Sequence, residues 1–179
     1  MSALSFTAAL DRPELLAPTV ASAVSLLPAE DAARIEVAAV DPALADTAEF
    51  CAAYDQPLDS SANCLVVAGV RGEMTTLVAC VVLATTRADV NGAVRRLLGA
   101  RKARFAPMEE TVAASGMEYG GITPFGLPDE WRVLVDARVV ELPRVILGAG
   151  IRGAKLFLPG RVLARAPRVE VVEGLATPL

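Results

Sequence analysis

The sequence predicts an α+β fold in one domain over residues 1–179, and three observations carry that expectation. Strand-like and helix-like runs are mixed without the regular βαβ alternation of a doubly wound sheet. A 179-residue chain suits one domain and buries about 70% of its unfolded surface without a metal or disulfide staple. Apolar residues make up 54%, yet the longest apolar run, Leu77 to Ala84, has the length of a buried strand rather than a membrane helix.

In chain order, Pro13 to Leu27 reads as a helix, with Pro13 suiting its first turn, Pro18 as a later start and Pro28 as its end. Ile35 to Val40 is a strand closed by Asp41-Pro42, and Ala43 to Tyr54 a helix closed by Asp55-Gln56-Pro57. Asn63 to Val70 and Thr75 to Leu83, joined by Arg71-Gly72-Glu73, form a hairpin. Thr86 to Asp89 looks like a capping signal for a helix from about Asp89 to Leu98. Its residues Val90, Ala93, Val94, Leu97 and Leu98 keep helical spacing, which leaves Arg95 and Arg96 outward, and Gly99 stops it. Ala103 to Ala106 is a short strand. Pro107 then opens a helix, Met108 to Ala114, with Glu109 and Glu110 in its favourable first turn and Ser115-Gly116 at its end. Strands follow at Val133 to Asp136, Arg144 to Leu147 and Lys155 to Leu158, then a helical turn from Gly160 and a last strand, Val169 to Val172.

The composition narrows the chemistry. Histidine is absent, which removes Ser-His-Asp and Cys-His catalysis and every histidine–metal site. Cys51, Cys64 and Cys80 are odd in number and lack C-x-x-C spacing, so they read as small core residues rather than disulfide or zinc partners. Catalysis is left to carboxylates, a lysine, backbone amides or the substrate itself, and Lys102 and Lys155 are the only lysines. No cofactor and no metal are expected. A net charge of −4 argues against a general nucleic-acid coat protein. Arg95, Arg96, Arg101, Lys102 and Arg104 still supply a candidate local basic patch, although such a run also suits a solvated helix face. Met1 to Leu10 lacks the basic start and long apolar core of a signal peptide, so the expected location is the cytoplasm. Neither a membrane nor DNA is an expected partner.

Two glycine-rich stretches stand out. Gly120-Gly121-Ile122-Thr123-Pro124-Phe125-Gly126 combines residues that let a ligand approach the backbone with a proline that fixes φ and extends Thr123. Such a turn presents backbone N–H groups with one hydroxyl beside them. The same pattern also suits an ordinary loop between a helix and a strand. The second stretch is Gly148-Ala149-Gly150-Ile151-Arg152-Gly153.

The order of the pieces carries a resemblance. A hairpin strand, a helix ending Leu97-Leu98-Gly99-Ala100-Arg101-Lys102-Ala103-Arg104-Phe105-Ala106-Pro107, a helix ending Ser115-Gly116, then the two glycine stretches, resemble the YbaK family over Ile35 to about Val172. That family is related to the editing domain inserted in bacterial prolyl-tRNA synthetases. The resemblance implies a mixed sheet, partly curled into a barrel, with flanking helices. It also implies trans-editing, the hydrolysis of the ester of a mischarged aminoacyl-tRNA. The implied partners are the 3′ aminoacyl-adenosine end of that tRNA and an aminoacyl-tRNA synthetase.

By the same resemblance, the family's G-x-x-x-P loop falls on Gly120 to Pro124. Its backbone amides hold the aminoacyl carbonyl or the ribose, with Gly120, Gly121 and Thr123 in catalytic places and Ile122, Pro124 and Gly126 bordering the substrate. Gly148, Gly150, Arg152 and Gly153 line the substrate's other side. Arg152 either binds a phosphate of the terminal adenosine or pairs with a surface carboxylate. Two departures stand out. The family's lysine aligns with Asn63, and a family aspartate aligns with Lys155, so Asn63 is assigned to substrate binding and Lys155 to catalysis. An aromatic residue of the family is also missing near Val40. The bland readings are a strand-end asparagine bonding its own backbone and a solvated lysine. Asp136 is either a turn residue or a pocket wall. The leading function is deacylation. The alternatives are a binding module that has lost turnover and an unrelated small-molecule binder on the same scaffold.

Overall fold

A computed structural model describes residues 3–179. The strands are β1 (Thr7–Ala8), β2 (Glu36–Ala39), β3 (Ala62–Arg71), β4 (Met74–Leu83), β5 (Thr86–Ala88), β6 (Lys102–Phe105), β7 (Arg132–Asp136), β8 (Val145–Gly148), β9 (Ala154–Leu158), β10 (Val169–Val172) and β11 (Ala176–Pro178). The α-helices are α1 (Pro18–Ser25), α2 (Ala29–Ala32), α3 (Thr47–Tyr54), α4 (Arg95–Leu97), α5 (Met108–Ser115), α6 (Ala137–Val140) and α7 (Gly160–Ala164).

The strands assemble into a four-stranded sheet, β1-β2-β9-β8, a mixed five-stranded sheet, β10-β7-β4-β3-β6, and a β11-β5 pair. The first sheet is antiparallel, whereas β4, β7 and β10 run parallel. The two larger sheets meet at a parallel bridge between Ser61 and Ile146. The mixed α+β fold is the one expected, and its sheets stay open rather than closing into a barrel.

Period-2 alternation decides what each strand gives to which core layer. In β4, Ala79 and Val81 enter a central core, whereas Val78, Cys80 and Val82 enter a second cluster beneath Val94 and Leu175. In β9, Ala154, Leu156 and Leu158 enter the central core, whereas Phe157 turns the other way to meet Phe50 of α3. Lys155 shares that outward face with Phe157, which is how a lysine comes to lie beneath α3.

The hairpin forms as expected and is tighter than drawn from sequence. Arg71 pairs with Met74, so the turn is Gly72-Glu73 alone. The expected Pro13 to Leu27 helix splits into a 3₁₀ turn, Pro13–Leu15, and α1. Ala17 is extended (φ −62°, ψ 146°) because the following proline disfavours helical geometry there. Asp89 caps its helix as expected, accepting from the N–H groups of Gly92 and Ala93, but the first turn, Val90–Val94, is a π-turn. Thr86–Ala88, read as part of the cap, is a strand paired with Ala176–Pro178. Among the described residues, no helix is long and apolar enough to cross a membrane.

A candidate active site at the junction of the two sheets

Where the sheets meet, a cavity of about 230 Å³ opens between the start of β3, the end of β8, the start of β9, the entry to α3 and the first glycine loop. Its apolar walls include Phe50, Leu65, Ile122, Ile146 and Leu147, and its polar groups are Asp46, Thr47, Ser61, Asn63 and Lys155.

Lys155 is 7% exposed. Its Nζ donates to the carbonyl of Ala45 at 2.6 Å and lies 5.4 Å from the centre of the Phe50 ring. An ammonium has three N–H donors. Only one is engaged among the described residues. Burial pushes the lysine below its ordinary value of 10.5, against the opposing pull of Asp46. Asn63, on β3, accepts a hydrogen bond from Thr47 Oγ1 at 2.7 Å, which occupies its carbonyl and leaves its NH₂. Cys64 also lines the cavity, but burial, aided by Cys80, raises its thiol well above the ordinary range. It stays protonated and offers no nucleophile. Burial likewise pushes Cys80 up to about 12.

The two glycine stretches dock on each other. Gly150 N–H donates to the Gly121 carbonyl at 2.7 Å, Glu118 N–H to the Gly150 carbonyl at 2.8 Å, and Arg152 N–H to the Glu118 carboxylate at 2.6 Å. A side chain on Gly148 would place its Cβ 2.4 Å from the Gly121 carbonyl oxygen, and one on Gly121 would meet the Ile151 backbone at 2.7 Å. The contact is therefore backbone on backbone, which only glycine permits. Gly121 N–H closes a turn onto the Glu118 carbonyl at 2.9 Å. The N–H groups of Gly120 and Ile122, both at the cavity, have no protein acceptor among the described residues.

The cavity thus gathers five of the residues singled out from sequence: Asn63, Gly120, Ile122, Gly148 and Lys155. Arg152 braces its rim, with Nη1 3.3 Å from both Asp46 Oδ1 and the Tyr119 carbonyl. Gly121, Gly150 and Gly153 do not line the cavity, although Gly121 and Gly150 tie the two glycine loops together. Thr123 is fully buried, and its hydroxyl has no partner among the described residues. Pro124 and Gly126 line a different cavity, of about 490 Å³, against Thr19 and Ala23 of α1. Asp136 caps α6, with its carboxylate bonded to Arg138 and to Ala176 N–H.

Sequence reasoning missed Asp46, Thr47, Phe50 and Tyr119. The one local signal for the first two was Asp46-Thr47 at the start of α3, a position typical of a helix cap. Phe50 gave no signal, because its role comes from β9, a strand distant in sequence.

The comparisons with known proteins agree with this architecture. No curated protein matches the chain. The fold is similar to that of the hypothetical protein APE2540, with a TM-score of 0.72 and 22% identity over 83% of this chain and 95% of that one. It is also similar to a candidate trans-editing enzyme for prolyl-tRNA synthetase, with a TM-score of 0.70 and 22% identity over 88% of this chain and 97% of that one. A candidate signal transduction protein from Marinobacter aquaeolei VT8 has a similar region, with a TM-score of 0.56 and 18% identity over 89% of this chain and 30% of that longer one. At these identities the likeness is one of fold. The family model of the aminoacyl-tRNA editing domain matches residues 41–166, which include every residue lining the junction cavity. The chain belongs to the aminoacyl-tRNA editing domain family, the YbaK family.

Proposed function

We propose that the chain is a trans-editing aminoacyl-tRNA deacylase that frees the amino acid from a mischarged tRNA. The observation that carries this reading is the cavity itself, which is lined by a buried ammonium with unengaged donors and by two residues whose backbone N–H groups have no acceptor among the described residues. At about 230 Å³ it suits a small amino acid and its ester rather than a larger ligand.

In the proposed reaction, water adds to the ester carbonyl carbon and the bond to the ribose oxygen breaks. That oxygen leaves with a proton, and the free amino acid follows. The negative charge that develops on the carbonyl oxygen meets the N–H groups of Gly120 and Ile122. Removing a preorganised donor of this kind costs about 2.7–4 kcal/mol of transition-state stabilisation. Lys155 holds the carbonyl oxygen or a terminal phosphate oxygen with its remaining donors, and the NH₂ of Asn63 adds a neutral one. A ribose hydroxyl of the substrate positions the water in place of a protein base. Arg152 already engages Asp46, so it takes a phosphate only by exchanging that partner. A synthetase that presents mischarged tRNA is the proposed protein partner.

The test is a deacylation screen with tRNAs mischarged with alanine, cysteine and serine. Hydrolysis of at least one is expected. Tight binding with no hydrolysis would instead assign the chain as a binding module, the reading favoured by the tie between Asn63 and Thr47.

Two further outcomes follow from the donor groups. Histidine is absent, and no three Cys, Asp or Glu side chains converge among the described residues. Hydrolysis of a minimal aminoacyl-adenosine should therefore survive exhaustive EDTA treatment. Loss with chelator and recovery with zinc or magnesium would contradict the scheme.

The lowered Lys155 value sets a pH dependence. Between its folded value and 10.5, the unfolded chain binds a proton that the folded chain does not, so this group makes stability rise with pH across that window. Binding behaves oppositely, because the ammonium discharges below 10.5. A non-hydrolysable aminoacyl-adenosine analogue should bind more weakly as pH rises through that range, and Lys155→Met should lose this alkaline limb. An identical limb in the variant would reassign the titration.

A further inference from the structure

Beyond the cavity, the five-stranded sheet carries a concentration of positive charge. Arg95, Arg101, Lys102 and Arg104 line one groove of about 360 Å³ between edge strand β6 and the helical segment over it, and no carboxylate lines it. All four are exposed. Among the described residues, Arg12, Arg132, Arg138, Arg144, Arg152, Arg165 and Arg168 form ion pairs, and none of the groove's cations does. A chain with net charge −4 thus gathers four unpaired cations at one place. Charges on an edge strand also discourage sheet-to-sheet pairing. That role needs only the β6 residues, and does not account for Arg95 of α4 lining the same groove.

The position of the groove relative to the cavity is set by β3. Asn63 lines the cavity and Val70 lines the groove on the same unbroken strand, and Val70 pairs with Lys102. Seven residues at ~3.3 Å each separate them by about 23 Å. Four unpaired nucleotides at a tRNA 3′ end span about 14 Å when stacked at ~3.4 Å each, and more when splayed. A stacked end falls short of the groove, whereas a splayed end with its aminoacyl-adenosine in the cavity would bring the first paired nucleotides, with two strands of phosphates, to the groove.

We infer that this groove is the docking site for the duplex phosphates of the tRNA acceptor stem. The inference rests on the aminoacyl-tRNA reading of the cavity. Phosphate contacts of this kind position a nucleic acid without reading its sequence. The groove therefore supplies affinity and register, and the cavity supplies selectivity.

The experiment compares the wild-type chain with an Arg101→Ala, Lys102→Ala, Arg104→Ala triple variant and an Arg101→Lys, Arg104→Lys double variant. Affinity for an acceptor-stem RNA hairpin is measured by fluorescence anisotropy across a salt series. Turnover is measured on mischarged tRNA and on aminoacyl-adenosine. In the triple variant, Kd for the hairpin should rise at least tenfold. The slope of log K against log salt should flatten by about one for each phosphate that is no longer neutralised. Turnover of tRNA should fall while that of aminoacyl-adenosine holds. The charge-conserving double variant should stay near wild type and guards against misfolding of the triple variant. Unchanged hairpin affinity and slope, equal losses on both substrates, or a stronger preference for an acidic peptide or anionic vesicles would each overturn the assignment. Failure to hydrolyse any aminoacyl-adenosine would sink the deacylase reading alone, since the hairpin measurement does not need turnover.

Discussion

Gly148→Ala should lose deacylation about a hundredfold, with a fall in stability of about 1–3 kcal/mol. The new Cβ would lie 2.4 Å from the Gly121 carbonyl oxygen and 2.8 Å from that of Ile122, both backbone atoms without a rotamer to change. The two glycine loops would have to part by about 1 Å, which moves the Ile122 N–H relative to Lys155, and displacements of that size cost about two orders of magnitude in rate. Gly120→Ala makes a useful contrast. Gly120 has φ +83°, and its Cβ would meet the mobile end of Arg152 at 2.2 Å, a group that can swing aside. The remaining cost is the left-handed conformation, about 1–2 kcal/mol. This variant should keep most of its thermal stability while weakening substrate binding at the rim. Paired measurements of melting temperature and kcat/KM separate the two, and a Gly148→Ala protein with wild-type turnover would remove the loop contact from the mechanism.

How much of this was legible in the sequence depends on how local each signal is. The β3–β4 hairpin was readable because its turn and both strands are contiguous and the pairing runs from Ala62–Leu83 to Arg71–Met74. The helix cap at Asp89 was readable for the same reason. β5 was not, since its partner β11 lies at the far end of the described chain. The same division runs through the site. The glycine loops could be seen as glycine loops, but not that Gly121 would be held against Ile151 or that its N–H would close a turn. Pro124 and Gly126 share a short motif with Gly120, yet they line a different cavity, against α1. Lys155 illustrates the limit most clearly. Its strand was legible, and its alternation with Phe157 placed both on one face. That α3 would cover this face and bury the ammonium depends on Phe50, a contact between elements that no window of sequence contains.

Lys155→Ala should weaken substrate binding or turnover about tenfold or more, the size of one charge-assisted hydrogen bond. The alanine variant alone is ambiguous, because it also opens a space beneath Phe50. Lys155→Met removes the charge while filling most of that space. Replacing a buried charged group by a hydrophobe of similar volume is often neutral or stabilising. Lys155→Met should therefore melt no lower than wild type, yet share the functional loss of Lys155→Ala. The Asn63 exchange sharpens the test. Asn63→Lys removes the acceptor of Thr47 Oγ1 and adds a second cation to the cavity that already holds Lys155. Two like charges in one small cavity disfavour each other's protonated forms. The single variant should gain little, whereas Asn63→Lys combined with Lys155→Ala should recover part of the missing activity by supplying the cation from the opposite strand. A double variant no better than Lys155→Ala would show that the position of the ammonium matters, and not only its presence in the cavity. Wild-type activity in Lys155→Met would sink the role altogether, leaving the backbone donors of Gly120 and Ile122 to carry the reaction.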